Sequence, residues 1–302
     1  MRKCVEIALF MLMAALAPAA EGAVKVFATV PEWGALAREI GGERVEVFVA
    51  TNGLQDPHRI QAKPSLIAKA RSADIIVANG AELEIGWLPL VIQNSGNPRI
   101  QTGQTGYFEA ARHVALLETP AIIDRSQGDV HPAGNPHVHG DPRNTLYVGE
   151  ALSGRLARID PENASAYREA YRKFAEKMRK AIAAWEKAAL PLKNVPVLVQ
   201  HKAFSYLESW LGLIENGALE PLPGIEPSSA HLSEIAARQA VNPARMVIYP
   251  SYQYDAPSRW ISERAKIPVV MLPSTVGGTD ESGDLFMFYE DTIRRLLKGL
   301  EG

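Results

Sequence analysis

Cysteine is almost missing from this 302-residue chain: the only one is Cys4. It stands before an apolar run, Ile7 to Leu16, which follows Arg2 and Lys3 and leads into Ala17-Pro18-Ala19, the three-part build of a secretory signal peptide. Cleavage is expected between Ala19 and Ala23, with residues 1–23 as the leader, so Cys4 leaves with it and is not placed to carry a lipid anchor. The mature chain then has no thiol. Disulfides and thiolate ligation are excluded, and any metal site must be built from imidazole and carboxylate. Long apolar sequence is also lacking: the leader's run is shorter than the roughly 20 residues a bilayer crossing needs, and no later run is long enough. Basic runs are absent and the net charge is -2, which excludes nucleic acid as a partner because nothing is present to neutralise phosphates. These absences describe an exported protein, soluble in a bacterial periplasm.

What is present is a sequence 47% hydrophobic, enough to bury one large core or two smaller ones. Val24 to Val30 reads as a strand, Glu32 to Ile40 as a helix closed by Gly41-Gly42, Val45 to Ala50 as a strand, Lys63 to Ala70 as a helix, and Ala73 to Ala78 as a buried strand ending at Asn79-Gly80. This alternation predicts a parallel sheet covered on both faces. The rhythm breaks after Asp141. Asp160-Pro161-Glu162 is a strong helix start, and Glu162 to Ala189 holds no Gly or Pro, which predicts a rigid helical strut roughly 43 Å long. The rhythm then resumes, with strands at Val195–Gln200, Met246–Tyr249 and Pro268–Leu272, and helices at Phe204–Leu211, Leu232–Ala240, Ser258–Ala265 and Leu285–Leu300. The expected fold class is α/β, two parallel-sheet lobes joined by one long helix: residues 24–159, a connecting helix over 160–190, and residues 191–302. Trp87, Trp185, Trp210 and Trp260 read as packing residues, and Arg168 to Lys187 as the solvated face of the strut.

Of seven histidines, His131, His137 and His139 crowd into one stretch, where Asn135 to Asn144 reads NPHVHGDPRN. In parallel α/β sheets, ligands collect beyond the carboxyl ends of strands. His58 lies in the loop after the Val45 strand, His137 in the loop ending the first lobe, and His201 directly after the Val195 strand. A tetrahedral site needs a fourth donor. The glycine-bearing loop from Thr275 to Asp284 offers Asp280 or Asp284, of which Asp280 is preferred because Asp284 stands where it would cap the last helix. Three imidazoles and a carboxylate suit zinc and accept other divalent transition metals. With every position filled by protein, no place is left for a reactive water, so the set describes a carrier and not a hydrolase. His137-Val138-His139-Gly140-Asp141 has the HxHxD spacing of dinuclear hydrolases, but no further Asp-His pair or His follows to hold a second ion.

Asp56-Pro57-His58, Pro64, Ala73-Asp74, Asn79-Gly80 with Glu84 and Trp87, Asn135-Pro136-His137-Val138 with Asp141-Pro142, and His201-Lys202-Ala203-Phe204 with Tyr206 and Gly212-Leu213 together resemble the zinc and manganese solute-binding proteins of bacterial ABC importers, the cluster A-I group. The resemblance runs over essentially the whole mature chain. It implies two Rossmann-like lobes with the metal between them, the family's metal histidines falling on His58, His137 and His201. A histidine at the third position, where manganese importers usually carry glutamate, implies zinc. Two departures stand out. Met271-Leu272-Pro273 brings no acid immediately after the last strand, so the fourth ligand comes later in the loop or is water, and the long histidine-rich loop of many zinc members shrinks to His113 and His131 between Glu109 and Gly134.

The resemblance further implies that Zn2+ is a transported ligand and that the protein is not an enzyme. Its partner would be an ABC transporter permease in the inner membrane, with a periplasmic metallochaperone as a further candidate. The chain is expected to be a monomer. A helical strut allows only a small rocking of the lobes, and because ligation needs neutral imidazoles, affinity is expected to fall below about pH 6.5. His139 is a candidate auxiliary donor beside the site, and any loop-assisted capture is either slight or uses His131 and His139.

Overall fold

The structure is a computed structural model that describes residues 22–119 and 131–301, so most of the expected leader, residues 1–21, lies outside it. Among the described residues no helix is long and apolar enough to cross a membrane. The first lobe runs β1 (Val24–Ala28), α1 (Pro31–Gly41), β2 (Val45–Val49), α2 (Pro64–Ser72), β3 (Ile75–Ala78), α3 (Leu88–Ser95) and β4 (Tyr107–Glu109). Its sheet has the order β2-β1-β3-β4 with every pairing parallel. All four residues of β3 are buried, as a strand covered by helices on both faces must be. Helix α1 starts with Pro31 at its first turn, buries Trp33, Leu36, Ala37 and Ile40 on one stripe, and stops where Gly42 takes a φ of 55°.

Two helices follow, α4 (Pro142–Ile159) and α5 (Ala164–Ala188). The second lobe then runs β5 (Pro196–Val199), α6 (Ser205–Leu211), β6 (Ile214–Ala218), α7 (Ser229–Gln239), β7 (Met246–Pro250), α8 (Ala256–Ala265), β8 (Val269–Leu272) and α9 (Leu285–Glu301). The strand order β6-β5-β7-β8, again all parallel, repeats that of the first lobe. The α/β two-lobe reading holds.

Four elements lie outside the sequence reading: α3, α4, β4 and β6. Helix α4 hid because its stripe is broken by glycine. At Gly149 a Cβ would meet the Tyr171 ring of α5 at 3.3 Å, so the glycine marks a close helix crossing and not a loop. Strand β6, IENGA, carries Asn216 and a Gly217 at φ 137° and pairs with a register shift, all of which read as turn.

The strut is shorter than expected. Pro161–Asn163 form a 3-10 turn capped by Asp160, whose carboxylate accepts from the Asn163 amide, and the α-helix proper spans 25 residues, about 37 Å. It packs on α1 and α4 of the first lobe and on α9 of the second. Phe174, Met178, Ile182 and Trp185 form its buried stripe, and Trp185 sits against Tyr289 of α9 at 5.3 Å between ring centres. One continuous apolar cluster includes Val26 and Ile75 of the first sheet, this stripe, and Val197 and Ile248 of the second sheet.

Candidate metal centre

His58 follows β2 in a tight turn. The Asp56 carboxylate accepts from the His58 backbone amide at 3.0 Å and lies 2.9 Å from its Nδ1. The Trp87 indole donates to the Pro57 carbonyl at 3.1 Å, so Trp87 pins this turn besides filling the core. Burial alone would raise the Asp56 carboxyl, but the hydrogen bonds and charge of His58, with His201 beyond, outweigh it and hold the group below the ordinary carboxylate range. With Nδ1–H donated to Asp56, Nε2 of His58 carries the lone pair a metal would take, and here that atom accepts from His131 Nε2 at 3.3 Å.

His201 is built the same way from the other lobe. It follows β5, next to the point where the chain leaves the sheet in opposite directions from β5 and β7. Its Nδ1 lies 2.7 Å from Glu220 Oε2. Glu220 also accepts from the Gly224 amide at 2.8 Å and the Gln253 amide group at 2.7 Å, so the carboxylate is fixed before it fixes the ring. Sequence reasoning missed Glu220 because it lies just past the unrecognised β6; an acid at a strand's carboxyl end was the available signal.

His137 is held through its backbone. Asn135 Oδ1 accepts its amide at 2.9 Å, and the Asn135 Nδ2 donates across the seam to the Lys202 carbonyl at 2.8 Å. Asn79, itself anchored by the Trp33 indole, donates to the Pro136 carbonyl at 2.8 Å. Burial, then the neighbouring His58, His201, His139 and His131, push the His137 imidazole well below its ordinary pKa, which keeps the ring neutral near pH 7.

These elements bring the three expected histidines together. Ring centres are 5.5 Å apart for His58 and His137, 5.6 Å for His137 and His201, and 6.0 Å for His58 and His201. All three side chains are buried. Rings sharing a tetrahedral zinc at Zn–N of about 2.0–2.1 Å would stand roughly 5 Å apart centre to centre. The donors are therefore near that spacing but not drawn tight: among the described residues no group of three or more histidine, cysteine or carboxylate side chains is closed around one point.

The expected fourth donors are placed elsewhere. Asp284 accepts from the Met287 amide at 2.8 Å, which makes it the cap of α9. Asp280 is exposed, and neither aspartate bonds to a histidine among the described residues. The glycines of their loop serve a different purpose: a Cβ on Gly53 of the first lobe would lie 2.3 Å from the Gly277 and Gly278 backbone, so the two lobes touch there main chain to main chain. His139 is committed across the seam, its Nε2 to the Ser274 carbonyl at 2.7 Å and its Nδ1 facing Glu32 at 3.1 Å. His113 stacks on Phe108 at 4.9 Å and is half-exposed, apart from the cluster. His131 does reach the cluster, with its ring centre 5.3 Å from that of His58.

Comparison with known proteins gives a family and a shared fold. Residues 26–300 match the family model described as ZnuA, zinc-uptake complex component A, periplasmic. The manganese ABC transporter substrate-binding lipoprotein PsaA of Streptococcus anginosus is 21% identical over 287 residues, which cover 92% of this chain and 89% of that protein. A crystal structure of ZnuA superposes with a TM-score of 0.75 at 21% identity, covering 90% of this chain and 99% of the other. The Mn-bound periplasmic metal binding protein of Candidatus Liberibacter asiaticus gives 0.73 at 16% identity, covering 92% and 99%.

Proposed function

Because the chain belongs to the family of periplasmic zinc-uptake component A proteins, we propose that it is the substrate-binding component of a metal ABC importer, a binding protein and not an enzyme. Its cargo is a divalent transition metal ion, zinc by preference, held at the seam of the lobes by His58, His137 and His201. The observation that carries this reading is the meeting of three buried imidazoles from two lobes, two of them held at Nδ1 by carboxylates, which leaves Nε2 as the ligating atom.

Nitrogen donors favour zinc over manganese, whose harder ion prefers carboxylate oxygen. The relatives' names pull the other way, since the PsaA lipoproteins are named for manganese and a structural neighbour is Mn-bound. Loading would draw the rings inward by up to about 1 Å to reach the spacing of a tetrahedral shell. The loaded shape is what an inner-membrane permease would recognise, and the leader would be cleaved on export to the periplasm.

Metal analysis of protein purified without added metal tests the proposal. One zinc per chain is expected, lost in His58→Ala, His137→Ala and His201→Ala. Manganese in its place would replace the zinc assignment, and retention of metal by all three variants would overturn the site.

A further inference from the structure

Directly after β3 the backbone runs through three consecutive left-handed residues, Gly80 at φ 80°, Ala81 at 49° and Glu82 at 63°. Ala81 and Glu82 carry a Cβ, and left-handed backbone costs such residues roughly 1–2 kcal/mol each. A strained turn of this kind persists only where its surroundings hold it. The Glu84 side chain holds it from within. It is buried, its Oε1 accepting from the Thr29 hydroxyl at 2.6 Å and the Asn79 amide at 2.7 Å, and its Oε2 from the Gly80 amide at 3.1 Å.

The two ends of that turn reach the two proposed donors of the first lobe. At its start, the Asn79 side chain donates to the Pro136 carbonyl at 2.8 Å, one residue before His137. At its end, the Trp87 amide donates to the Glu84 carbonyl at 3.1 Å, and the Trp87 indole donates to the Pro57 carbonyl at 3.1 Å, one residue before His58. A further connection runs through β1. Thr29, which donates to Glu84, accepts at its own carbonyl from the Thr51 hydroxyl at 2.9 Å, at the head of the loop that leads to His58.

We infer that Glu84 is a positioning residue for the metal centre, a buried carboxylate that ties the placing of His58 to the placing of His137. This rests on the metal-binding reading above and adds to it a coupling within the first lobe. The carboxylate is chemically specific for the task. All three partners present hydrogens, and an ionised carboxylate offers two oxygens with no hydrogen of its own. Glutamine, of the same size, must turn its NH2 toward the Gly80 amide or the Asn79 amide, setting hydrogen against hydrogen. His201 stands in the other lobe, and the bonds that fix it through Glu220 involve none of these groups.

The test is read at pH 8, above the value of about 7 to which burial raises the Glu84 carboxyl. Zinc affinity by chelator competition, and the ring proton–nitrogen NMR signals of the metal-free histidines, are measured for the full mature chain and for Glu84→Gln, Asn79→Ala and Trp87→Phe. His58→Ala and His201→Ala are measured alongside. Glu84→Gln is expected to lose affinity about 10-fold, to shift the His58 and His137 rings together and to leave the His201 ring in place. Asn79→Ala should move chiefly His137, and Trp87→Phe chiefly His58. Combining Glu84→Gln with Asn79→Ala should cost less affinity than the product of the two single losses, because both act along one route. Thr29→Val removes one bond and keeps the carboxylate, and it should move the same two rings, so the test stands even where Glu84→Gln folds poorly. Affinity within about twofold of wild type in Glu84→Gln, or equal shifts of all three rings, overturns the inference while His58→Ala and His201→Ala still lose the metal. Unchanged affinity in those two variants would instead remove the site itself, and this inference with it.

Discussion

The imidazole of His139 spans the seam between the lobes, its Nε2 donating to the Ser274 carbonyl at 2.7 Å while its Nδ1 faces Glu32 at 3.1 Å. Glu32 in turn accepts from the Thr275 hydroxyl, and the Tyr289 hydroxyl donates to the His139 carbonyl at 2.6 Å. A residue two positions from a proposed metal donor is thereby made into a cross-brace. Replacing it by alanine strips the Ser274 carbonyl of its partner, while Glu32 keeps its bond from Thr275, and a group left unpaired costs about 1–3 kcal/mol. His139→Ala is expected to unfold at lower temperature and to expose the 274–279 backbone to hydrogen exchange, with zinc affinity reduced far less than in His137→Ala.

In the proposed site Asp56 and Glu220 would act on the metal through the rings they hold. Loss of such an outer partner typically costs 10–100-fold in affinity. Asp56→Asn and Glu220→Gln are each expected to fall in that range by chelator competition, with unchanged far-ultraviolet circular dichroism. An affinity equal to wild type in both would show that the rings are oriented by packing alone.

The pH dependence of the metal-free protein follows from His137. Its folded-state pKa lies well below that of an unfolded histidine, so below about pH 6.5 the unfolded chain takes up a proton that the folded one refuses. This contribution to stability is present above pH 6.5 and is lost as pH falls below it. Thermal unfolding of metal-free protein should show a declining midpoint from pH 7 to pH 5, and the slope should flatten in His137→Phe.

Glu208 of α6 predicts the opposite slope. Burial, then the nearby Glu215 and Glu118, push its carboxyl up to about 8 against the pull of Lys202. Its Oε1 is buried without a hydrogen-bond partner. A raised folded-state pKa means stability that is full below about pH 4.3 and lost as pH rises through 8. Glu208→Gln should therefore gain in unfolding temperature over wild type at pH 9, by roughly 2–4 °C for each kcal/mol recovered, gain less at pH 6 and little at pH 4.

Gly53 is the tightest point of the seam. Any side chain there meets the Gly277 and Gly278 backbone, which cannot yield without parting the lobes. Gly53→Val should lower the unfolding midpoint and enlarge the radius of gyration in small-angle scattering. An unchanged scattering profile would mean that the loop alone absorbs the collision.

The two sheets were legible because buried parallel strands are short unbroken apolar runs, as in Ile75–Ala78 and Met246–Tyr249. His58 and His201 were legible as sites for a related reason, since each follows such a run. What escaped was whatever depends on the path of a loop or on a broken pattern. Asp284 obeyed its local role as a cap. The fate of Asp280 depended on glycines that serve contact between the lobes. His139 and His131 are indistinguishable in the sequence as loop histidines, yet one braces the seam and the other approaches the donors.

The unbroken apolar cluster that passes from one sheet through α5 to the other has an energetic corollary. Prising apart even 400 Å² of such surface costs about 10 kcal/mol, which leaves roughly one molecule in ten million ajar at any instant. For the proposed carrier, spontaneous leakage of cargo by wide gaping would then be negligible. Work to uncover the ion would have to be done by whatever machine the protein docks against.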